Sequence, residues 1–100
     1  MSSRPAPKIS SSTPPALTSA QIRAARALIR WSAEDLARES TLGVTTIRRA
    51  ELREATTKLT AANDLAVRRA LEAAGVEFID ENHKGGVGVR LRNPRLMSPN

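Results

Sequence analysis

No cysteine occurs anywhere in this chain of 100 residues. That removes disulfides and thiolate metal sites, and it fits a reducing cytoplasm. Tyrosine is missing as well, and Trp31 and Phe78 are the only aromatic residues. A core without aromatics must be built from small and aliphatic side chains between closely packed helices. No apolar run approaches the ~18 residues of a membrane span. The first residues lack the apolar stretch of a secretory signal, so neither a membrane partner nor export is expected. His83 is the only histidine and lies in a hydrophilic stretch. Asp80 and Glu81 are adjacent carboxylates with no ligand partners in reach of the pattern. Gly85-Gly86-x-Gly88 resembles a phosphate loop only superficially, because it lacks the lysine and the following helix; a hairpin turn explains these glycines. The expectation is a protein that is not an enzyme and that carries no metal and no cofactor.

Positive charge is what the chain has in quantity. Sixteen Lys and Arg stand against ten Asp and Glu, giving a net charge of +6 and an isoelectric point near 11.3. Most of the cations are arginine, whose planar fork suits phosphates and guanine edges. Such a balance also fits RNA or an anionic membrane, but nucleic acid is the leading partner class. The length allows one small domain. With the ends removed about 75 residues remain, a modest core for which self-association would add stability.

Residues 1–16 are rich in Ser and Pro and have little to bury, so they read as a disordered tail. Arg4 and Lys8 make it basic; a solvated leader is favoured over an arm in a DNA groove, because such arms concentrate their charges. Thr18-x-x-Gln21 is a capping box, with Leu17 placed to staple onto the helix it opens. Ile22, Ala25 and Ile29 follow helical spacing. Arg23, Arg26 and Arg30 occupy the other side and read as mostly solvated. Trp31 is expected to close the core beside this helix.

A second helix opens at Ser32, with Asp35 three residues on and Glu34 in the first turn. Leu36 and Ala37 give its apolar stripe, and the pattern breaks over 40–43. A third short helix follows with Val44, Ile47 and Ala50 on its packing face. Thr45, Arg48 and Arg49 surround Ile47 on the opposite face, pointing toward a partner. Two short helices with a tight turn, the second carrying arginine on its outer face, is the layout of a DNA-reading helix-turn-helix. The stretch 52–60 loses periodicity and is rich in hydroxyls, as suits a loop that meets phosphates, with Leu52 or Leu59 tucked into the core. A fourth helix runs from Thr60 or Ala61 to Ala74 and stops at Gly75, with Val67, Ala70, Leu71 and Ala74 at helical spacing. Arg68 and Arg69 read as a solvated face or as ion pairs with Asp64 and Glu72. After Gly75 the period becomes two. Residues 76–79 and 87–92 read as strands of a β-hairpin, and 93–100 as a flexible tail.

The segment from Ser32 to Glu51 resembles the helix-turn-helix of the Cro and phage-repressor-like (XRE-type) bacterial transcription regulators. Leu36-Ala37 matches the small-residue contact of the first motif helix. Leu42, Ile47 and the run from Thr46 to Glu51 match the second. The stretches 71–82 and 86–92 are similar to the tail of short regulators of this family, so the resemblance spans roughly residues 17–92. It implies a mainly α, lambda-repressor-like bundle of four to five helices with a small C-terminal β-hairpin. Its parts would be a tail (1–16), a helix-turn-helix domain (17–75), a hairpin extension (76–92) and a second tail (93–100). It also implies a repressor-like transcriptional regulator, nucleoid-associated in the cytoplasm, binding double-stranded DNA as a homodimer.

Within that frame Val44, Thr45, Arg48 and Arg49 are the candidates for base contact. Ser32, Ala33, Thr41, Arg53, Thr57 and Lys58 are the candidates for phosphate contact. Two positions depart from the family pattern. The family usually has Gly where Thr41 stands, so the expectation is either a turn reshaped around Gly43 or ordinary backbone geometry at Thr41. Many relatives place a phosphate-gripping Gln where Ala33 stands. The apolar hairpin positions Phe78, Val87, Val89 and Leu91 offer a surface for pairing two subunits, against the alternative that the hairpin seals its own helices. The rival function is a protein-interaction module or an antitoxin of the same fold, acting through an exposed apolar face.

Overall fold

Four helices followed by a two-stranded antiparallel hairpin make up residues 14–52 and 56–94, the part of the chain that the computed structural model describes. The expectations for Arg4 and Lys8, for Arg53 and for residues 95–100 lie outside it. The fold is mainly helical with a small C-terminal hairpin, at the lower bound of the four to five helices expected.

Helix α1, Ser19–Ile29, starts where its capping box predicts. The Thr18 hydroxyl accepts the Gln21 amide at 3.1 Å, and the Gln21 side chain accepts the Thr18 amide at 3.0 Å. Two donors that the helix itself cannot satisfy are thereby paired. Helix α2, Ala33–Ser40, repeats the device, with Ser32 and Asp35 exchanging bonds of 2.9 and 2.8 Å. Helix α3, Val44–Leu52, follows after a turn of three residues. Helix α4, Ala61–Ala73, is capped by Thr60 and ends at Ala74; Gly75, at φ 104°, then turns the chain into the hairpin. Strand β1, Val76–Ile79, pairs with β2, Gly88–Leu91, with Phe78 opposite Val89.

The apolar stripes converge. Ile22, Ala25 and Ile29 of α1, Leu36 and Ala37 of α2, Ile47 and Ala50 of α3, and Val67 and Leu71 of α4 form one buried cluster with Leu17 and Val76. Burying each larger aliphatic side chain contributes roughly 1.5–3 kcal/mol before entropy is counted. Trp31 and Phe78 lie half-buried at its margin, so the aromatics close the core without filling it. Leu59 packs against the cluster, whereas Leu52 is 81% exposed.

Of the two readings for Arg68, a solvated face or an ion pair, the solvated face is excluded and the pair with Glu72 is present. Arg68 is buried, its guanidinium lies 5.2 Å from the centre of the Phe78 ring, and it donates to the Pro15 carbonyl at 2.8 Å. Its pairing with Glu72 is long, at 3.8 Å. Asp64 is likewise engaged by main chain, accepting the Leu17 amide at 3.0 Å. Together they strap residues 15–17 along α4. The hairpin packs on α1 and α4, with Phe78, Val89 and Leu91 against the core. Gln21 donates from its amide to the Gly88 carbonyl at 3.1 Å and to that of Ile79 at 3.4 Å. Three of the four residues expected to offer a shared surface therefore cover this chain's own core, and only Val87 is exposed, at 43%. No helix among the described residues is long and apolar enough to cross a membrane.

Candidate nucleic-acid interface

The packing of α3 decides which of its side chains reach outward. Ile47 and Ala50 are buried against α1 and α2, and helical spacing then turns Thr45, Arg48 and Arg49 out, where all three are exposed. Val44 is divided between roles, since it is half-buried and packs on the core cluster. Its methyl surface is thus only partly available.

The turn before α3 differs from both forms anticipated for it. Thr41 itself takes the left-handed conformation, at φ 60° and ψ 33°, and its amide reaches back to the Arg38 carbonyl at 3.2 Å. Gly43 has no positive φ; its carbonyl accepts the Ile47 amide at 3.2 Å and so opens α3. The turn therefore keeps the shape that glycine would accept most readily and imposes it on a β-branched residue.

Arg48 forms an ion pair with Glu34, 14 residues earlier, and both side chains are more than half exposed. Arg49 and Lys58 make no ion pair with any described residue and line a single cleft of about 190 Å³. Thr46, Thr60 and Asn63 complete its polar wall, and α4 begins beside it. Lys58 stands on a strained step of backbone, at φ 63°, with its amide on the Thr56 hydroxyl at 3.3 Å. The next residue repeats the arrangement, Leu59 donating to the Thr57 hydroxyl at 3.1 Å. Thr57 lines the same cleft but is itself only 5% exposed, and its hydroxyl shapes the loop that presents Lys58.

At the start of α2 the groups are also partly engaged. The Ser32 amide is taken by Asp35, and Ala33 is buried, leaving backbone amides of Ala33 and Glu34 as donors there. Asp35 holds its carboxyl below the usual range, first through the Ser32 amide and then through Arg38 at 2.8 Å. A charged carboxylate so placed stabilises α2 and weakens the attraction of that end for another anion.

A second ion pair, which no local spacing announces, fixes the far end of α3. Glu51 accepts two bonds of 2.7 Å from Arg26 of α1, and Arg26 also donates to the Trp31 carbonyl at 2.8 Å. The Glu51 hydrogen bond holds the Arg26 guanidinium above its ordinary range although burial opposes it. Arg23 donates to the Glu51 carbonyl. Two of the three arginines read as solvated on α1 therefore clamp α3. Among the described residues no group of His, Cys, Asp and Glu is placed to hold a metal ion.

The fold and this surface define a four-helix bundle whose third helix presents a hydroxyl and two guanidiniums beside a cationic cleft. No family model matches the chain, and no curated protein matches it.

Proposed function

We propose that the protein binds double-stranded DNA with sequence preference and acts as a repressor-like transcriptional regulator of XRE type, with α3 in the major groove. The observation that carries this reading is the outward face of α3. Thr45, Arg48 and Arg49 are exposed together, opposite buried Ile47 and Ala50, and Arg49 shares a cleft with Lys58. Arginine forks pair with guanine edges, threonine serves either base type, and the accessible part of Val44 suits a thymine methyl. Lys58, Thr41, Arg53 and the Ala33 and Glu34 amides meet phosphates, which fix orientation without reading sequence. The site needs neither metal nor catalytic group, and the protein works at the nucleoid in the cytoplasm. One short helix reads too few base pairs to find a site in a genome, so the working unit is a homodimer on inverted half-sites.

Selection from a random duplex library, followed by titration of the enriched duplex, tests the reading. An enriched sequence is expected, with affinity falling on the order of a thousandfold between about 50 and 200 mM salt when about six phosphates are neutralised. A flat salt response with no enriched sequence would overturn it in favour of a protein-binding module.

A further inference from the structure

The ion pair between Glu34 and Arg48 joins the start of α2 to the outer face of α3, across the turn that separates them. Three carboxylates in the fold serve the core or a cap: Glu51 clamps Arg26, Asp64 holds the strap and Asp35 closes its capping box. Glu34 does none of these, beyond adding negative charge to the first turn of α2. Its side chain is 60% exposed, its partner 56%, and an exposed pair of this kind adds little to stability. What it does is hold one guanidinium of the proposed reading face in place.

We infer that Glu34 is a specificity-determining residue that acts through Arg48, an inference resting on the DNA-binding reading above. Arg48 donates to Glu34 through Nη2. Nη1 and Nε keep donors for a base edge, and the pair draws the guanidinium toward the carboxylate before DNA arrives. An arginine without such a tether swings to whichever phosphate is nearest, gripping every sequence alike. Held by Glu34, it gains little from a random duplex and gives its free donors only where an acceptor edge lies in that direction. The carboxylate also stands at the end of α2 whose amides attract phosphate, so it lowers the general electrostatic grip. The first effect weakens binding to random DNA more than binding to the preferred site; the second lowers both alike and leaves the preference unchanged.

Fluorescence anisotropy on the full chain tests this, using the duplex enriched by the wild-type protein and a scrambled duplex of equal length and composition. Glu34→Gln keeps the shape and removes the charge. It should tighten the scrambled duplex about three- to tenfold at low salt and steepen its salt slope by about 0.9, as one cation reaches a phosphate. The enriched duplex should gain less, so the preference ratio falls about threefold or more, while the melting temperature stays nearly unchanged. In an Arg48→Ala background, Glu34→Gln should leave the ratio where it is. An unchanged ratio in the wild-type background, or an equal fall in both backgrounds, would overturn the role assigned to Glu34 while leaving DNA binding in place. A wild-type protein that binds neither duplex would instead remove the reading on which the inference rests.

Discussion

Thr41 sits in a conformation that costs an L-residue with a side chain roughly 1–2 kcal/mol, and it is β-branched besides. Thr41→Gly removes that cost, although the freer unfolded chain takes back about half of it. The variant should gain about 0.5–1 kcal/mol and melt a few degrees higher in a circular dichroism scan. A lower melting temperature would mean that the turn is not strained at this residue. Asp35 offers a second check at the same scale, because its folded carboxyl lies below the ordinary value of 3.8. A lowered folded value stabilises the protein above the unfolded value, and that contribution is lost as the pH falls from there through the folded one. Melting temperature should therefore decline on acidification below about pH 4. Asp35→Asn should flatten part of that decline, and an identical pH profile would refute the assignment.

Among the elements, α3 depends most on partners distant in the chain. Glu51→Gln leaves the Arg26 guanidinium, only 22% exposed, without its counter-charge. Breaking one side of such a pair should cost about 2 kcal/mol in chemical denaturation, less than for a fully buried pair because water still reaches Arg26. Arg26→Lys alone should also destabilise, since an ammonium cannot make two parallel bonds to Glu51 while also reaching the Trp31 carbonyl. These elements also show what a sequence can disclose. Both capping boxes, Thr18 with Gln21 and Ser32 with Asp35, were legible because each is a local pattern with a three-residue spacing. The apolar stripes and the change of period after Gly75 were legible for the same reason. The outward placement of Thr45, Arg48 and Arg49 followed from the burial of Ile47. The ties of Arg26 to Glu51, Arg48 to Glu34 and Arg68 to Pro15 were not legible. They span 25, 14 and 53 residues, and nothing local distinguishes such an arginine from a solvated one. Thr41 was misread because local preference asks for glycine in that backbone shape and the surrounding turn overrides it.

For the molecule as a whole, the hairpin has two candidate duties that one experiment separates. Val76 is fully buried, and Phe78, Val89 and Leu91 cover the core. Ending the chain at Gly75 removes buried Val76, at about 1.5–3 kcal/mol, and the half-buried Phe78, Val89 and Leu91, at roughly half that each, a loss comparable to the whole stability of a small domain. That version should lose its cooperative melt. A well-folded protein ending at Gly75 would show that the hairpin serves association and not the core. Dimerisation itself is read by sedimentation on DNA. Two chains should occupy one duplex carrying inverted half-sites about 10 base pairs apart, or a multiple. A single chain on an unrepeated half-site would end the homodimer proposal.

The bond from Gln21 to the Gly88 carbonyl spans 67 residues, and the strap joins Pro15 to Arg68 over 53. A ribosome adding about 5–20 residues per second needs roughly 3–13 s to make the stretch between Gln21 and Gly88. During that interval α1 gains α3 as a partner but lacks the hairpin, and a helix of 11 residues is marginal in water without its full packing. The side of α1 that Gln21 turns toward the hairpin stays uncovered until synthesis has passed β2. Full closure of this fold thus waits on the emergence of β2.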